Sequence, residues 1–207
     1  MISRRRFTTL TAAAAAVGLA PGLTGAAERL APVQMEGGGY TQPWFLESFL
    51  DFRDDLAEAA DAGKRFALMW EQDGCPYCLE THLVNFGIPD IRRYVQDNFE
   101  IVQLDIWGSR ETVDFDGKSL TEKELAKRNR VRFTPTIQFF PQAPADAAGK
   151  NGRTAEVARM PGYFRPFHFL AMFQYVRDRG YAHEGFRDYL NKKTAALKAA
   201  GKPLPDW

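Results

Sequence analysis

Apolar residues in the stretch FLESFLDFRDDLAEAADAGK recur at steps of three and four: Phe45, Phe49, Phe52, Leu56 and Ala59. That rhythm places them on one face of a helix, with Gly63 as its C-cap. RFALMWEQ follows as an apolar run without helical period and reads as a buried strand. The helical rhythm returns in IPDIRRYVQDNF through Ile91, Tyr94, Val95 and Phe99, and EIVQLDI reads as a second strand. TEKELAKRN opens with Thr121 and Glu124 at the spacing of a capping box. TIQFF and TAEVARM are strands, and the loop PQAPADAAGKNGR between them makes them antiparallel. RPFHFLAMFQYV is a helix through Phe167, Leu170, Ala171 and Val176, and Phe186, Leu190 and Leu197 give the tail a further helix packed back on the domain. Residues 108–120 fit neither period and read as an inserted surface loop.

Strands alternating with helices predict an α/β fold, a central mixed β-sheet flanked by helices. The chain begins differently. Arg4, Arg5 and Arg6 lead into a small-residue, mildly apolar stretch from Leu10 to Ala20, and Gly25, Ala26 and Ala27 precede the first acid, Glu28. These are the parts of an export signal over residues 1–27, cleaved near Ala26 or Ala27. Ser3-Arg4-Arg5-Arg6-Phe7 resembles the twin-arginine export motif. The apolar stretch is too short for a permanent membrane anchor. Residues 28–44 then read as a linker, 45–180 as the domain and 181–207 as a helical extension.

Charge narrows the partners. The 207 residues carry a formal net charge of +1, and loss of the three signal arginines leaves the mature chain at −2. No basic field remains to attract nucleic acid. The chain holds two cysteines, Cys75 and Cys78, inside EQDGCPYCLETH. As a structural staple they would close too short a loop to stabilise a domain of this size much. A haem attachment needs His directly after the second cysteine, where Leu79 stands. As a metal site two thiolates supply half a tetrahedral shell, with His82 as a third candidate that reads more simply as solvated. A redox dithiol fits the local physics better. With Cys75 as N-cap and Pro76 at the first helical position, the Cys75 sulfur faces unpaired N–H groups that favour thiolate, and Cys78 lies one turn further in.

Cys75-Pro76-Tyr77-Cys78 at a strand-to-helix junction resembles the active site of the thioredoxin superfamily, and VRFTPTIQFF is similar to that family's segment ending in Pro-Thr before a core strand. The resemblance implies a thioredoxin-like fold with extra N- and C-terminal helices. It also implies a cis Pro135 against the dithiol, Thr134 offering backbone groups to substrate, and Gly162 facing the same groove beside Pro76 and Tyr77. Where thioredoxins bury an aspartate six residues ahead of the first cysteine, Met69 stands here. Glu71 or Asp73 is then the candidate proton acceptor for Cys78, or else a solvated or helix-capping acid. The stretch ARMPGYFRPFHFLAMFQYV followed by GYAHEGFRDYLNKK, together with EQDGCPYC, is similar to exported thioredoxins of bacterial sulfur-oxidation systems, the SoxW type. Its aromatics Phe164, Phe167, Phe169 and Phe173 read as core.

The expected activity is a periplasmic thiol–disulfide oxidoreductase whose only redox group is the Cys75–Cys78 pair, with no separate cofactor or metal. The resemblance implies a reductase of a disulfide-containing periplasmic protein, such as a sulfur carrier, recharged by a membrane thiol transporter. A disulfide oxidase or isomerase for exported proteins is the alternative on the same dithiol, and a copper- or zinc-binding module is a further one.

Overall fold

A computed structural model describes residues 29–36, 38–203 and 205. The export-signal reading of residues 1–27 lies outside them.

At the centre is a four-stranded mixed sheet. β3 (Arg65–Glu71) is flanked by the parallel β4 (Phe99–Asp105) and the antiparallel β7 (Thr136–Phe139), and β8 (Ala158–Pro161) pairs antiparallel with β7. Every residue of β3 is buried, which is why its sequence is a continuous apolar run rather than an alternation. Its pleat divides the core. Phe66, Leu68 and Trp70 face one cluster, with Phe52, Leu56, Val102 and Phe140. Ala67 and Met69 face the other, with Phe86, Ile91, Phe139, Phe169 and Phe173.

The helix expected from Phe45 begins only at Phe52. α1 spans Phe52–Asp61, capped by Asp51, which accepts the Arg53 N–H, and Gly63 just beyond it takes φ +70°. Phe45 and Phe49 therefore do not share its face: Phe45 packs in the opposite cluster and Phe49 is fully exposed. Leu50, at φ +66°, turns the chain between Phe49 and the Asp51 cap. The stretch read as a linker holds a two-stranded hairpin, β1 (Val33–Gln34) with β2 (Tyr40–Thr41). Its continuation covers the outer edge of the sheet, where the Leu46 N–H donates to Ile101 O and the Gln103 amide to Tyr40 O.

α2 (Pro76–Glu80) continues into a π turn (Thr81–Asn85), and α3 (Pro89–Asn98) follows, with Phe99 opening β4 instead of ending the helix. The expected loop at 108–120 is a hairpin, β5 (Glu111–Val113) with β6 (Ser119–Thr121). It was illegible because its buried residues, Thr112, Asp114 and Phe115, are mostly polar. α4 (Glu122–Arg128) carries the full Thr121–Glu124 capping box. Two short helices, α5 (Pro144–Ala147) and α6 (Gly152–Ala155), fill the connection before β8, so the strand expected from Thr154 starts at Ala158.

α7 (Pro166–Arg177) closes one face through Phe169, Met172, Phe173 and Val176, with Phe167 and Leu170 only half-buried. After a 3-10 turn, α8 (Phe186–Ala199) buries no residue fully and rests on the core through Phe186 and Tyr189, not Leu190 and Leu197. Among the described residues no helix is long and apolar enough to cross a membrane.

Candidate active site

The end of β3 leads straight into the cysteine motif. Asp73 and Gly74 turn the chain: the Gly74 N–H donates to Asp73 Oδ1 at 2.8 Å and Gly74 takes φ +68°, a conformation glycine reaches without strain. Cys75 is then the N-cap of α2 with Pro76 in its first turn. The Cys78 N–H donates to Cys75 Sγ at 3.1 Å, so a helix-terminal donor points at the leading sulfur. The two cysteines form a disulfide with Cα atoms 5.3 Å apart. Cys75 is 9% exposed and Cys78 5%, so the leading cysteine is slightly the more exposed residue of the two.

The Thr134–Pro135 peptide bond is cis. Register brings it to the motif: Trp70 pairs with Thr136, so Pro135 sits one position beyond, at the level of Glu71 where β3 ends. On its other side the Gly162 N–H donates to Pro135 O at 2.7 Å, with Gly162 at φ +79°. Tyr163 stacks on Tyr77 with ring centroids 6.1 Å apart, tying this proline–glycine pair to the helix that carries the cysteines. Burial, and next the Glu80 carboxylate, push the Tyr163 phenol up to about 12, so it keeps its proton. Exposed Tyr77 and Phe133 give the rim an apolar character. Thr134 is half-buried beside Pro135.

On the far side of the motif a cavity of about 1100 Å³ opens between the N-terminal arm and the disulfide. Glu71, Cys75, Cys78 and Gln42 are among its lining residues. Glu71 is buried and caps no helix. Its Oε2 accepts from Gln103 Nε2 and faces His82 Nε2 at 3.1 Å, whereas Oε1 has no hydrogen-bond partner among the described residues. Glu71 lies two residues after Met69 on the same face of β3, so it presents a carboxylate one pleat nearer the cysteines than the family's aspartate position. Asp73 is exposed and serves the turn.

His82 corrects the sequence reading. Expected in solvent, it is fully buried, with Nδ1 3.2 Å from Gln42 Nε2 and its ring against Phe45 and Phe86. Gln42, Gln103 and Tyr163 were not anticipated at all. The four-residue step from Cys78 to His82, which puts both on one helical face, was the available signal for His82; for Gln42, forty positions away from it, there was none.

A family model described as thioredoxin-like domain matches residues 52–177. Among solved structures, a thioredoxin-fold protein from Helicobacter pylori is 24% identical with TM-score 0.48, over 64% of this chain and 81% of that one. A thioredoxin from Thermus thermophilus is 23% identical with TM-score 0.46, over 61% of this chain and 83% of that one. No curated protein sequence matches the chain. The bonded pair Cys75–Cys78 on this fold fits a thiol–disulfide oxidoreductase.

Proposed function

We propose that this chain, which belongs to the thioredoxin-like domain family, is an exported thiol–disulfide oxidoreductase that reduces disulfides of partner proteins. The observation that carries the reading is the Cys75 sulfur at the cap of α2, receiving the Cys78 N–H and bonded to Cys78. In the reduced chain that donor and the helix end favour a Cys75 thiolate, which attacks one sulfur of a partner disulfide. A mixed disulfide forms and the partner's other sulfur leaves as thiolate. Cys78 then gives its proton to Glu71 and attacks Cys75 Sγ, closing the bond seen here and releasing the second partner thiol. Two electrons pass from the dithiol to the partner.

Pro76, Tyr77, Thr134, Pro135 and Gly162 form the groove in which the partner segment lies. In this reading the chain is exported behind residues 1–27 and works in the periplasm. There it keeps a sulfur-carrier cysteine of a partner reduced, and a membrane thiol transporter renews its dithiol. The similarity of residues 158–193 to sulfur-oxidation thioredoxins supports the choice of partner.

Cys75→Ser is expected to abolish reduction of insulin disulfides. Cys78→Ser is expected to stop at the mixed disulfide and so capture the natural partner covalently, identifiable by mass spectrometry from the exported fraction. Full turnover by the Cys75→Ser chain refutes the assignment, and a captured partner without a sulfur-carrier cysteine refutes the proposed pathway role.

A further inference from the structure

We propose that His82, oriented by Gln42 from the N-terminal arm, is a positioning residue for the second half of the reaction, because it engages one oxygen of Glu71 and leaves the other free for the Cys78 proton. The inference rests on the oxidoreductase reading and adds to it a pair of residues that touch neither cysteine chemistry nor substrate.

The hydrogen-bond inventory fixes the arrangement. Gln42 Nε2 lies 3.2 Å from His82 Nδ1 and 3.5 Å from the His82 carbonyl oxygen. In this orientation the Gln42 amide presents its N–H₂ side to both groups, and Nδ1 is the accepting nitrogen. The imidazole carries its proton on Nε2, 3.1 Å from Glu71 Oε2, and donates to it. Gln103 donates to the same oxygen. Both donors thus converge on Oε2 while Oε1 stays unpartnered in a side chain 7% exposed. Glu71 and Cys78 line one cavity, and His82 stands one helical turn beyond Cys78. The ring meets Glu71 from β3, Gln42 from the arm and the apolar rings of Phe45 and Phe86. A carboxylate held this way keeps its occupied edge on its two donors and offers the proton the edge that has none.

The test separates the two half-reactions. The reduced chain is mixed with an aromatic nitrobenzoate disulfide. Attack by Cys75 releases one coloured thiolate, and attack by Cys78 on the mixed disulfide releases the second. Glu71→Gln tests the underlying assignment: the second release is expected to slow at least tenfold with the first unchanged. An unchanged second release removes Glu71 as proton acceptor and ends the proposal at its premise.

His82→Phe keeps a ring in the pocket but removes the donor. It is expected to slow the second release about tenfold, with a rate that now climbs with hydroxide concentration, while the first release is unaffected. His82→Gln, which returns an amide N–H near the Nε2 position, is expected to restore most of the lost rate and the parent pH profile. Gln42→Leu, a near-isosteric change on the arm, is expected to give an intermediate slowing and serves as readout should His82→Phe fold poorly. If Glu71→Gln slows the second release but His82→Phe and Gln42→Leu do not, the positioning role is wrong. It is equally wrong if His82→Phe slows it and His82→Gln fails to rescue, because lost packing then accounts for the effect.

Discussion

Two carboxylates are buried to nearly the same degree on opposite faces of one sheet, and they are built for opposite purposes. The Glu71 side chain is 7% exposed and the Glu156 side chain 8%. Glu156 is closed. Its Oε1 accepts from Arg153 and Arg159, and its Oε2 from Arg159 at 2.7 Å and from Gln138 at 2.8 Å. Gln138 in turn accepts from Trp70 Nε1 and Asn129, so the acid is locked through β7 into the neighbour of Glu71 along β3. Glu71 is open. Its partners are an imidazole and an amide, both on one oxygen, and it borders the cavity beside the disulfide. A buried acid paired with guanidinium groups and with every lone pair filled holds a fold together; one with no arginine or lysine partner and an unfilled oxygen suits the proton-accepting role proposed for Glu71. Burial alone does not distinguish the two. The completeness of the hydrogen bonding does.

The strongest way to break this contrast is Glu156→Ala. Burial already disfavours the charged form of Arg159, and removal of its counter-ion leaves that cation facing only the carbonyls of Asn129 and Arg130. A loss of about 3 kcal/mol of unfolding free energy is expected in urea titration. Insulin reduction per folded molecule should be unchanged. A variant with parental stability, or one whose resolving step slows, would erase the division between a structural face and a chemical one.

How much of this was visible in the sequence follows the same division. Cys75, Pro76 and Cys78 were legible because the chemistry is local: cap, first turn and bridge all fall within four residues. The strands β3, β4 and β7 were legible from their apolar runs, and so was the capping box at Thr121. Helical rhythm misled where a cap interrupts it. Asp51 caps the helix after the point where Phe45 and Phe49 seemed to begin it, and Leu50 in the left-handed region turns α1 away from the segment that carries them. Polar groups buried by tertiary contacts were the hardest. His82 looks like any exposed helical residue, since periodicity records hydrophobicity and not a partner supplied from Gln42. The 111–121 hairpin hid for a related reason: it anchors itself through Asp114, which accepts from Phe115, Gly152 and Arg128, and not through an alternating apolar face.

A third acid sharpens the comparison, because it has neither a cation nor a chemical task. Asp55 in α1 is 6% exposed, and its two oxygens lie 2.8 and 2.6 Å from Ser48 Oγ, whose single proton they share. Burial raises its pKa from the usual 3.8 to about 6; the Ser48 bond opposes the shift, and the nearby charges of Glu58, Asp51 and Asp54 add to it. The sign follows from proton counting. Below the unfolded value the carboxyl is neutral in both states and contributes nothing. Between that value and about 6 the folded chain keeps a proton that the unfolded chain has lost, so folding grows less favourable as pH rises through this window. Above it the folded state carries a buried charge costing on the order of 2 kcal/mol, once partial solvent screening is allowed for. Asp55→Asn removes that charge and keeps an oxygen for Ser48. The variant is expected to match the parent near pH 4 and to exceed its stability by about that amount near pH 7.5, as read from urea midpoints. If the parent instead gains stability from pH 4 to pH 7.5 relative to the variant, Asp55 belongs with Glu156 as a satisfied acid, and a single hydroxyl donor suffices to close a buried carboxylate.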